Sequence, residues 1–362
     1  MRILVVIHDF QPGGVERIAI RLASRWASDG AEVVLVCGST AGALRPLLDE
    51  RVSLEHPLRE IHRSRFSRTV LAAFAARTAR TCQPDVLFLP GNYYLGAAAV
   101  LKLALGPKCP PIVSKLSNAL RRADRSPIRQ LFFERTLRWK VRFSDHLVYM
   151  SPELQAEGRE VLGDARFKSH AIEEPILEDQ FTCPDTASNE VDPIELIAAG
   201  RLVAQKNFRM LIDAVSMLAS PVRLSIYGEG PDRSDLETKV KSLGLERDIS
   251  LPGYSSDLPR LLAQSRLFVL SSDYEGYPAV VIEALAAGVP VIATDCSPAM
   301  RAILRSAGLD TLIAVGDASG FAAAIDAQLN GPRPDPEKLA KSVARFRLGR
   351  SAKAYSDLFS RA

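Results

Sequence analysis

Residues 270–295 read LSSDYEGYPAVVIEALAAGVPVIATD, and this stretch decides the fold expected of the chain. Pro278 has the fixed φ that suits the first position of a helix. The apolar run from Ala279 to Ala287 stops at Gly288, a residue type common just after a helix end. Val289 to Thr294 then has the apolar composition of a buried strand. The stretch therefore predicts a loop, a helix and a buried strand in succession.

Two carboxylates give this stretch its chemical character. Glu275 lies in the predicted loop and Glu283 in the predicted helix, with seven residues between them. The N–H groups at the helix start, around Gly276, Tyr277 and Ala279, are donors suited to a diphosphate or a sugar hydroxyl. Carboxylates beside such donors indicate a pocket for a sugar nucleotide.

The same stretch resembles the signature of glycosyltransferase family 4, a Glu-x7-Glu motif in retaining enzymes of the GT-B fold. Two glutamates at this spacing would be weak evidence alone. Four other strings support the resemblance, and their order and spacing match the family over nearly the whole chain: QPGGVE at 11–16, GRLVAQKNF at 200–208, YGEGP at 227–231 and LPGY at 251–254.

Strand-like and helix-like runs alternate in both halves, which predicts parallel sheets with right-handed crossovers and hence two Rossmann-like domains. We place these domains at residues 1–177 and 193–335, because the segment from Leu177 to Pro193 is polar, contains proline and has no periodicity. The resemblance implies a GT-B arrangement, with two doubly wound domains facing across a cleft. It also implies that a last helix, about residues 342–358, packs back on the first domain.

Composition excludes several classes of protein. At 362 residues the chain is long enough for two domains, and it has no cleavable leader pattern and no apolar run of spanning length. The five cysteines are scattered without C-x-x-C spacing, which argues against a disulfide framework or zinc site and for reduced thiols in the cytoplasm. No nucleic-acid motif is present and the net charge is only +4, so a nucleic-acid partner is not expected.

Arg201 and Lys206 follow a predicted strand at 194–199. Cleavage of a sugar–phosphate bond builds negative charge on the departing diphosphate, and a guanidinium with an ammonium there would stabilise the transition state. A solvated surface pair is the alternative, but the match of GR-x4-KN to the family favours the phosphate role. These two cations take the part of a metal ion, so we expect no metal and no cofactor.

The resemblance assigns the remaining donor contacts. It implies that Glu283 accepts the ribose hydroxyls and that Glu275, with neighbouring amides, holds the donor sugar near the catalytic centre. Tyr254 is either a wall of the nucleobase pocket or a half-exposed core aromatic. The set of expected donor-binding residues is Gly13, Gly14, Glu229, Gly230, Tyr254, Gly276, Tyr277, Pro278 and Glu283.

Two loops depart from the family pattern. Many relatives have a histidine after the strand at 111–114, whereas SKLSNAL places Asn118 nearest that position. Asparagine forms hydrogen bonds but does not titrate, so a contact to sugar or acceptor is expected there rather than acid–base catalysis. After the strand at 289–294, relatives carry Gly-Pro and a glutamate where this chain has Ser297, Pro298 and Ala302. Contacts inferred from that loop are therefore in doubt.

The first half is basic: residues 1–180 hold 26 Lys and Arg against 20 Asp and Glu. The segment 121–142 has eight basic and two acidic residues, with Phe132, Phe133 and Trp139 among them. This composition fits an interfacial contact with an anionic membrane, and it fits a core-packed helix with a solvated arginine face equally well. The membrane hypothesis assigns the contact to Arg121, Arg122, Arg125 and Arg129.

The family resemblance, together with these residues, implies a retaining, metal-independent glycosyltransferase that moves a sugar, hexosyl or N-acetylhexosaminyl, from a UDP-sugar to a glycan or lipid-linked glycan. The expected setting is bacterial polysaccharide or lipopolysaccharide synthesis, in the cytoplasm or at the inner face of the cytoplasmic membrane. The alternatives are a sugar-nucleotide epimerase or hydrolase of the same fold, and a silent sugar-nucleotide-binding partner.

Overall fold

The computed structural model describes residues 1–64, 66–118, 120–121, 125–163, 167–181 and 194–362. Arg122, Cys183 and most of the predicted boundary segment lie outside these residues. The described chain divides into two compact units. Unit 1 comprises Met1–Asp179 and Phe346–Ala362, and unit 2 comprises Gln180–Arg345.

Unit 1 is built on a parallel sheet with strand order β3-β2-β1-β4-β5-β6-β7. Its strands are β1 Arg2–Val6, β2 Glu32–Val36, β3 Ser53–Glu55, β4 Val86–Leu89, β5 Ile112–Leu116, β6 His146–Tyr149 and β7 Lys168–Ala171. Its helices are α1 Gly14–Ser28, α2 Ser67–Cys82, α3 Leu95–Leu105, α4 Pro127–Val141, α5 Pro152–Leu162 and α13 Leu348–Phe359.

Unit 2 has a parallel sheet of strand order β10-β9-β8-β11-β12-β13. Its strands are β8 Ile194–Ala199, β9 Val222–Tyr227, β10 Ile249–Gly253, β11 Leu267–Leu270, β12 Val291–Thr294 and β13 Leu312–Ile313. Its helices are α6 Phe208–Ser216, α7 Arg233–Ser242, α8 Leu258–Ala263, α9 Ala279–Ala286, α10 Met300–Ser306, α11 Ala318–Asn330 and α12 Pro336–Ser342.

Both sheets have the doubly wound order in which the first strand lies at the centre, so the predicted α/β class with two Rossmann-like domains is confirmed. Such sheets bind ligands beyond the carboxyl ends of their strands. Among the described helices, none combines the length and the apolar character that crossing a bilayer would demand.

The expected helix at 342–358 is wrong in its bounds. Helix α12 ends at Ser342 and α13 begins at Leu348, because a 3-10 turn at Ala344–Phe346 separates them and the extended residue Arg347 then pairs with Leu177, in the segment that leaves β7. The Leu177 N–H donates to the Phe346 carbonyl (3.0 Å), and the Leu348 N–H donates to the Leu177 carbonyl (2.9 Å). Hydrogen bonding of Leu177 to Phe346 and Leu348 thus sets where the final helix starts.

Helix α13 completes the core of unit 1. The buried indole of Trp26 on α1 donates from Nε1 to the Ala352 carbonyl at 3.0 Å. The same ring lies edge-on to Tyr355 and Phe359, with centroids 5.8 and 5.1 Å away. Phe88 of β4 joins this aromatic group, 5.4 Å from Trp26. Four large rings therefore join α1, the central sheet and α13.

Two imidazoles lie side by side on β6 and β7. His146 Nδ1 is 3.0 Å from His170 Nε2, and the rings stack with centroids 5.2 Å apart. Burial lowers the pKa of both histidines, and the nearby Lys168 charge lowers them further. Within the folded sheet the pair is therefore held neutral at pH values where free histidine is protonated.

We predict that unit 1 loses stability as the pH falls from 7.5 to 5. The folded pKa values lie below the unfolded ones, so the unfolded chain takes up protons first and is favoured increasingly below about pH 6.5. Urea unfolding followed by tryptophan fluorescence measures this, because both tryptophans, Trp26 and Trp139, lie in unit 1. His170→Gln should flatten the dependence; an unchanged pH slope in that variant would exclude the pair as its cause.

Candidate functional site

A cavity of about 580 Å³ opens in unit 2 where β8, β9, β10 and β11 reach their carboxyl ends. Its position is the one expected for a ligand of a doubly wound sheet. The lining residues are Ala199, Gly200, Arg201, Lys206, Tyr227, Gly228, Glu229, Tyr254, Ser255, Leu258, Glu275, Tyr277, Pro278, Ala279, Val280 and Glu283.

Close contact between strand ends shapes the floor of this cavity. Gly228 follows β9 with φ of +141°, a conformation that side-chain-bearing residues rarely adopt. A Cβ on Gly228 would collide with the backbone carbonyl of Gly200, which follows β8. The strands stay in register here because the Gly200 N–H donates to the Tyr227 carbonyl at 2.9 Å. Glycine is therefore required at this position.

The loop after β8 (200–207) and the loop after β11 (271–278) form one hydrogen-bonded structure. Asn207 begins α6 in a left-handed conformation with φ of 45° and receives the Met210 amide on its side chain. The bonds between the two loops are Asp273 N–H to Gln205 O (2.9 Å), Gln205 Nε2 to Tyr274 O (2.8 Å), Asn207 Nδ2 to Asp273 Oδ1 (2.7 Å) and Ser271 Oγ to Lys206 O (2.8 Å).

Lys206 and Glu275 are brought together by these loops. Lys206 Nζ lies 2.5 Å from Glu275 Oε1, and the side chains are only 16% and 10% exposed. The hydroxyl of Ser272 donates to the same carboxylate oxygen at 2.7 Å. The Glu275 amide is fixed by the Cys296 carbonyl at 2.7 Å. A cation and an anion thus meet at the cavity wall with both backbones restrained.

Arg201 has a different environment. Its side chain is exposed and lines the same cavity, and within the described parts of the chain it forms no ion pair or hydrogen bond. A guanidinium without a carboxylate partner at a ligand cavity is available to a phosphate. Arg201 therefore adds a free positive charge beside the Lys206–Glu275 pair.

Glu283 lies on α9, half-buried, and lines the cavity as the sequence predicted. Helix α9 begins at Ala279 with Pro278 as its cap residue, one position later than expected. The Ala279 amide is not a free donor, because it donates to the Tyr277 carbonyl at 2.9 Å. This short turn replaces the open helix start that the sequence suggested for Ala279.

Tyr254 is not a core residue: it is 74% exposed and lines the cavity after β10. Glu229 lines it as well, but its carboxylate pairs with Arg233 at 3.2 Å. Gly230 and Gly276 do not line it; a Cβ on Gly230 would instead collide with the backbone of Leu202. The cavity therefore includes most of the donor-binding residues expected in unit 2.

Gly13, Gly14 and Asn118 belong to unit 1. Gly13 precedes α1, and a Cβ there would meet the Glu16 carboxylate, so this glycine leaves room for the acid. Asn118 is exposed after β5. Their expected roles toward donor or acceptor stay predictions.

At the carboxyl end of β1, two buried acids are bound by the half-exposed guanidinium of Arg63, in a cluster that sequence reasoning missed. Arg63 donates from Nε and Nη2 to Asp9 (2.7 and 3.0 Å) and from Nη2 to Glu16 (3.1 Å). The Tyr94 hydroxyl also donates to Glu16, at 3.0 Å. Burial favours neutral Asp9, yet hydrogen bonds from Arg63 and the Gln11 amide hold the pKa of Asp9 below its usual value. Arg63 lies in a loop far along the chain from Asp9 and Glu16, so no local sequence pattern predicts the cluster.

Two family models match the sequence. Residues 184–346 match the model described as "Glycosyl transferases group 1", and residues 13–168 match "Glycosyl transferase 4-like domain". The chain is similar to the lipopolysaccharide core biosynthesis glycosyltransferase LpsE of Rhizobium meliloti, with 27% identity over 327 residues, covering 88% of this chain and 86% of LpsE.

Solved structures show the same fold. The chain superimposes on Anabaena HepE in complex with UDP with a TM-score of 0.82, 21% identity and full coverage of both chains. The lipopolysaccharide outer core galactosyltransferase WaaB matches with a TM-score of 0.78 and 17% identity, again over both whole chains. At these identities the likeness establishes the GT-B fold of the chain.

We predict that Gly228→Ala destabilises unit 2 by about 2 kcal/mol or more, because the added Cβ meets the Gly200 carbonyl in a strained backbone conformation. Gly244→Ala is the matched control, since Gly244 also has positive φ (+69°) but has open space around its Cβ position. Amide hydrogen exchange in β8 and β9 measures the effect. Equal losses in both variants would show that the close approach contributes nothing.

Proposed function

The chain belongs to the group 1 glycosyltransferases, and from this premise we propose that it transfers a sugar from a UDP-sugar to the glycan of a lipopolysaccharide or related bacterial polysaccharide. The observation that carries the proposal is the cavity in which Arg201, Lys206, Glu275 and Glu283 converge at the carboxyl ends of β8 and β11. The relative LpsE is named for lipopolysaccharide core biosynthesis, which supports the acceptor class.

The donor's diphosphate is assigned to Arg201 and Lys206. When the bond between the anomeric carbon and the phosphate oxygen breaks, negative charge grows on the diphosphate. Arg201 has no carboxylate partner within the described residues, and Lys206 exchanges its Glu275 partner for the phosphate. Once the donor is bound and Lys206 has turned to it, both cations contact the diphosphate before the bond breaks, so they favour the transition state without reorganisation of solvent. In this proposal they take the part of a divalent metal ion, and no cofactor is needed.

The remaining groups orient the donor. Glu283, half-buried on α9, accepts the ribose hydroxyls, and Glu275 holds a hydroxyl of the transferred sugar. The exposed ring of Tyr254 covers the uracil base. The reaction proceeds with retention, on one face of the sugar: the acceptor oxygen attacks the anomeric carbon, and its proton passes to the departing phosphate oxygen. This route needs no protein base.

We expect the wild-type protein to keep its transferase activity in excess EDTA. We expect kcat to fall about a hundredfold in Lys206→Ala and in Arg201→Ala. Loss of one preorganised donor to a developing charge costs roughly 3 kcal/mol in the barrier. The measurement is release of UDP with and without acceptor, which also separates transfer from hydrolysis or epimerisation. Lys239→Ala, which removes a lysine paired with Asp213 outside the cavity, is the control. Wild-type turnover in both cavity variants would overturn the assignment.

We further propose that unit 1 contacts an anionic membrane that carries the acceptor, through helix α4. Four large apolar side chains on this helix are exposed at the spacing of one helical face: Ile128 (82%), Leu131 (58%), Phe132 (73%) and Trp139 (53%). We call these residues the α4 stripe. An exposed apolar stripe beside basic residues fits the interface of a bilayer rather than open solvent.

In the structure, the residues of segment 121–142 best placed to contact a membrane differ from the four arginines expected from the sequence. Phe133 lies outside the stripe, half-buried, with the Arg125 guanidinium 3.8 Å from its ring centroid. Arg121 is paired with Glu160 at 2.8 Å, and Arg122 lies outside the described residues. The apolar stripe, with Arg129 exposed beside it, is therefore the better target for a test than the four arginines together.

Wild-type protein should co-sediment with vesicles containing phosphatidylglycerol at low salt. A double variant that combines Phe132→Ser and Trp139→Ser should bind these vesicles at least tenfold more weakly. Each large apolar side chain transferred from water contributes about 2 kcal/mol. Met217→Ser removes a comparably exposed side chain from unit 2 and serves as the control. Donor binding should be the same in all three proteins. Failure of the wild type to bind such vesicles would contradict a membrane role for α4.

A further inference from the structure

Two serines follow β11, and each holds one of the charged residues of the cavity. Ser271 Oγ donates to the backbone carbonyl of Lys206 at 2.8 Å. Ser272 Oγ donates to the Glu275 carboxylate at 2.7 Å. Both serines are buried, with 1% and 0% of their surfaces exposed, so these hydroxyls are shielded from competition with water. A hydrogen bond from a buried hydroxyl to a carboxylate is among the stronger ones in proteins.

The two oxygens of Glu275 are used differently. Oε1 receives both the Lys206 ammonium and the Ser272 hydroxyl. Oε2 receives no hydrogen bond from the described residues. The carboxylate is therefore anchored by one oxygen, while the other remains available as an acceptor at the cavity wall.

We propose that Ser272 is a positioning residue that keeps Glu275 oriented toward the transferred sugar when the diphosphate draws Lys206 away. This inference rests on the proposed function. In the donor-free cavity, Lys206 and Ser272 share the task of holding Oε1. Once the ammonium turns to the phosphate, Ser272 is the remaining side-chain donor to that oxygen, and Oε2 accepts a hydroxyl of the sugar.

The backbone of Ser272 is held in place by a hydrogen bond, so the position of its hydroxyl is fixed as well. Its carbonyl accepts a hydrogen bond from Thr294 Oγ1 at 2.5 Å, which ties the residue to the end of β12. The Glu275 amide is tied to the same region through the Cys296 carbonyl. Ser272 and Glu275 therefore keep their relative positions even if Lys206 moves. A positioning role should appear in ligands that contain the sugar and be absent from UDP alone.

The test compares Ser272→Ala, Ser272→Thr and the control Ser225→Ala. Ser225 lies on β9, bonded to Ser250 at 3.2 Å and outside the cavity lining. Calorimetry with UDP and with the UDP-sugar that the wild type turns over, together with kcat and KM, gives the readout. Loss of a hydrogen bond to a carboxylate is expected to lower kcat/KM for the donor about tenfold to a hundredfold.

Ser272→Ala should bind the UDP-sugar at least tenfold more weakly and bind UDP within twofold of the wild type. Ser272→Thr, which retains a hydroxyl, should recover activity to within about threefold, and Ser225→Ala should match the wild type. Wild-type behaviour of Ser272→Ala, or equal losses for UDP and UDP-sugar, would overturn the inference alone. If the wild type bound no nucleotide sugar, the proposed function would fail and the inference with it.

Discussion

The ion pair of Lys206 and Glu275 is the interaction on which the unit 2 cavity depends. In the donor-free cavity each charge offsets the desolvation of the other, because a partly buried ion requires a partner of opposite charge or several hydrogen bonds. The pair forms because the loops after β8 and β11 are joined by backbone and side-chain bonds through Gln205, Asp273 and Asn207. The order of the strands places these loops side by side, so sheet topology is the origin of the electrostatics.

Local patterns predicted most of the fold. The strand predicted at 194–199 has the predicted bounds, and the strand predicted at 289–294 is present from Val291 to Thr294, since each is a short and mostly apolar run with buried positions. β3, β7 and β13 were not predicted, because they are edge strands of two to four residues with no fully buried positions. Their pairing with a neighbouring strand defines them, and that information is not local.

In the candidate site, too, residues within contiguous motifs were predicted, whereas residues defined by their contacts in the folded chain were not. Glu275, Glu283 and Arg201 were named from contiguous motifs, and the structure places all three at one cavity. Ser272 was passed over, because a serine in a loop is ordinary until a carboxylate is seen 2.7 Å away. Arg63 was missed for a different reason: its partners Asp9 and Glu16 lie about fifty positions earlier in the chain. Contacts between distant segments are what a single sequence states least clearly.

The aromatic contact of α13 with α1 has a consequence for how the protein is made. The chain is synthesised from its amino end, and α13 follows the whole of unit 2 in the sequence. Until then, Trp26 and Phe88 lack Tyr355 and Phe359, the rings that cover them in the finished core. Unit 1 is therefore the first unit to emerge from the ribosome and the last to complete its core. Until α13 is synthesised, the apolar groove that this helix fills is open to solvent or to chaperones. Unit 2 is a continuous segment and has no such delay.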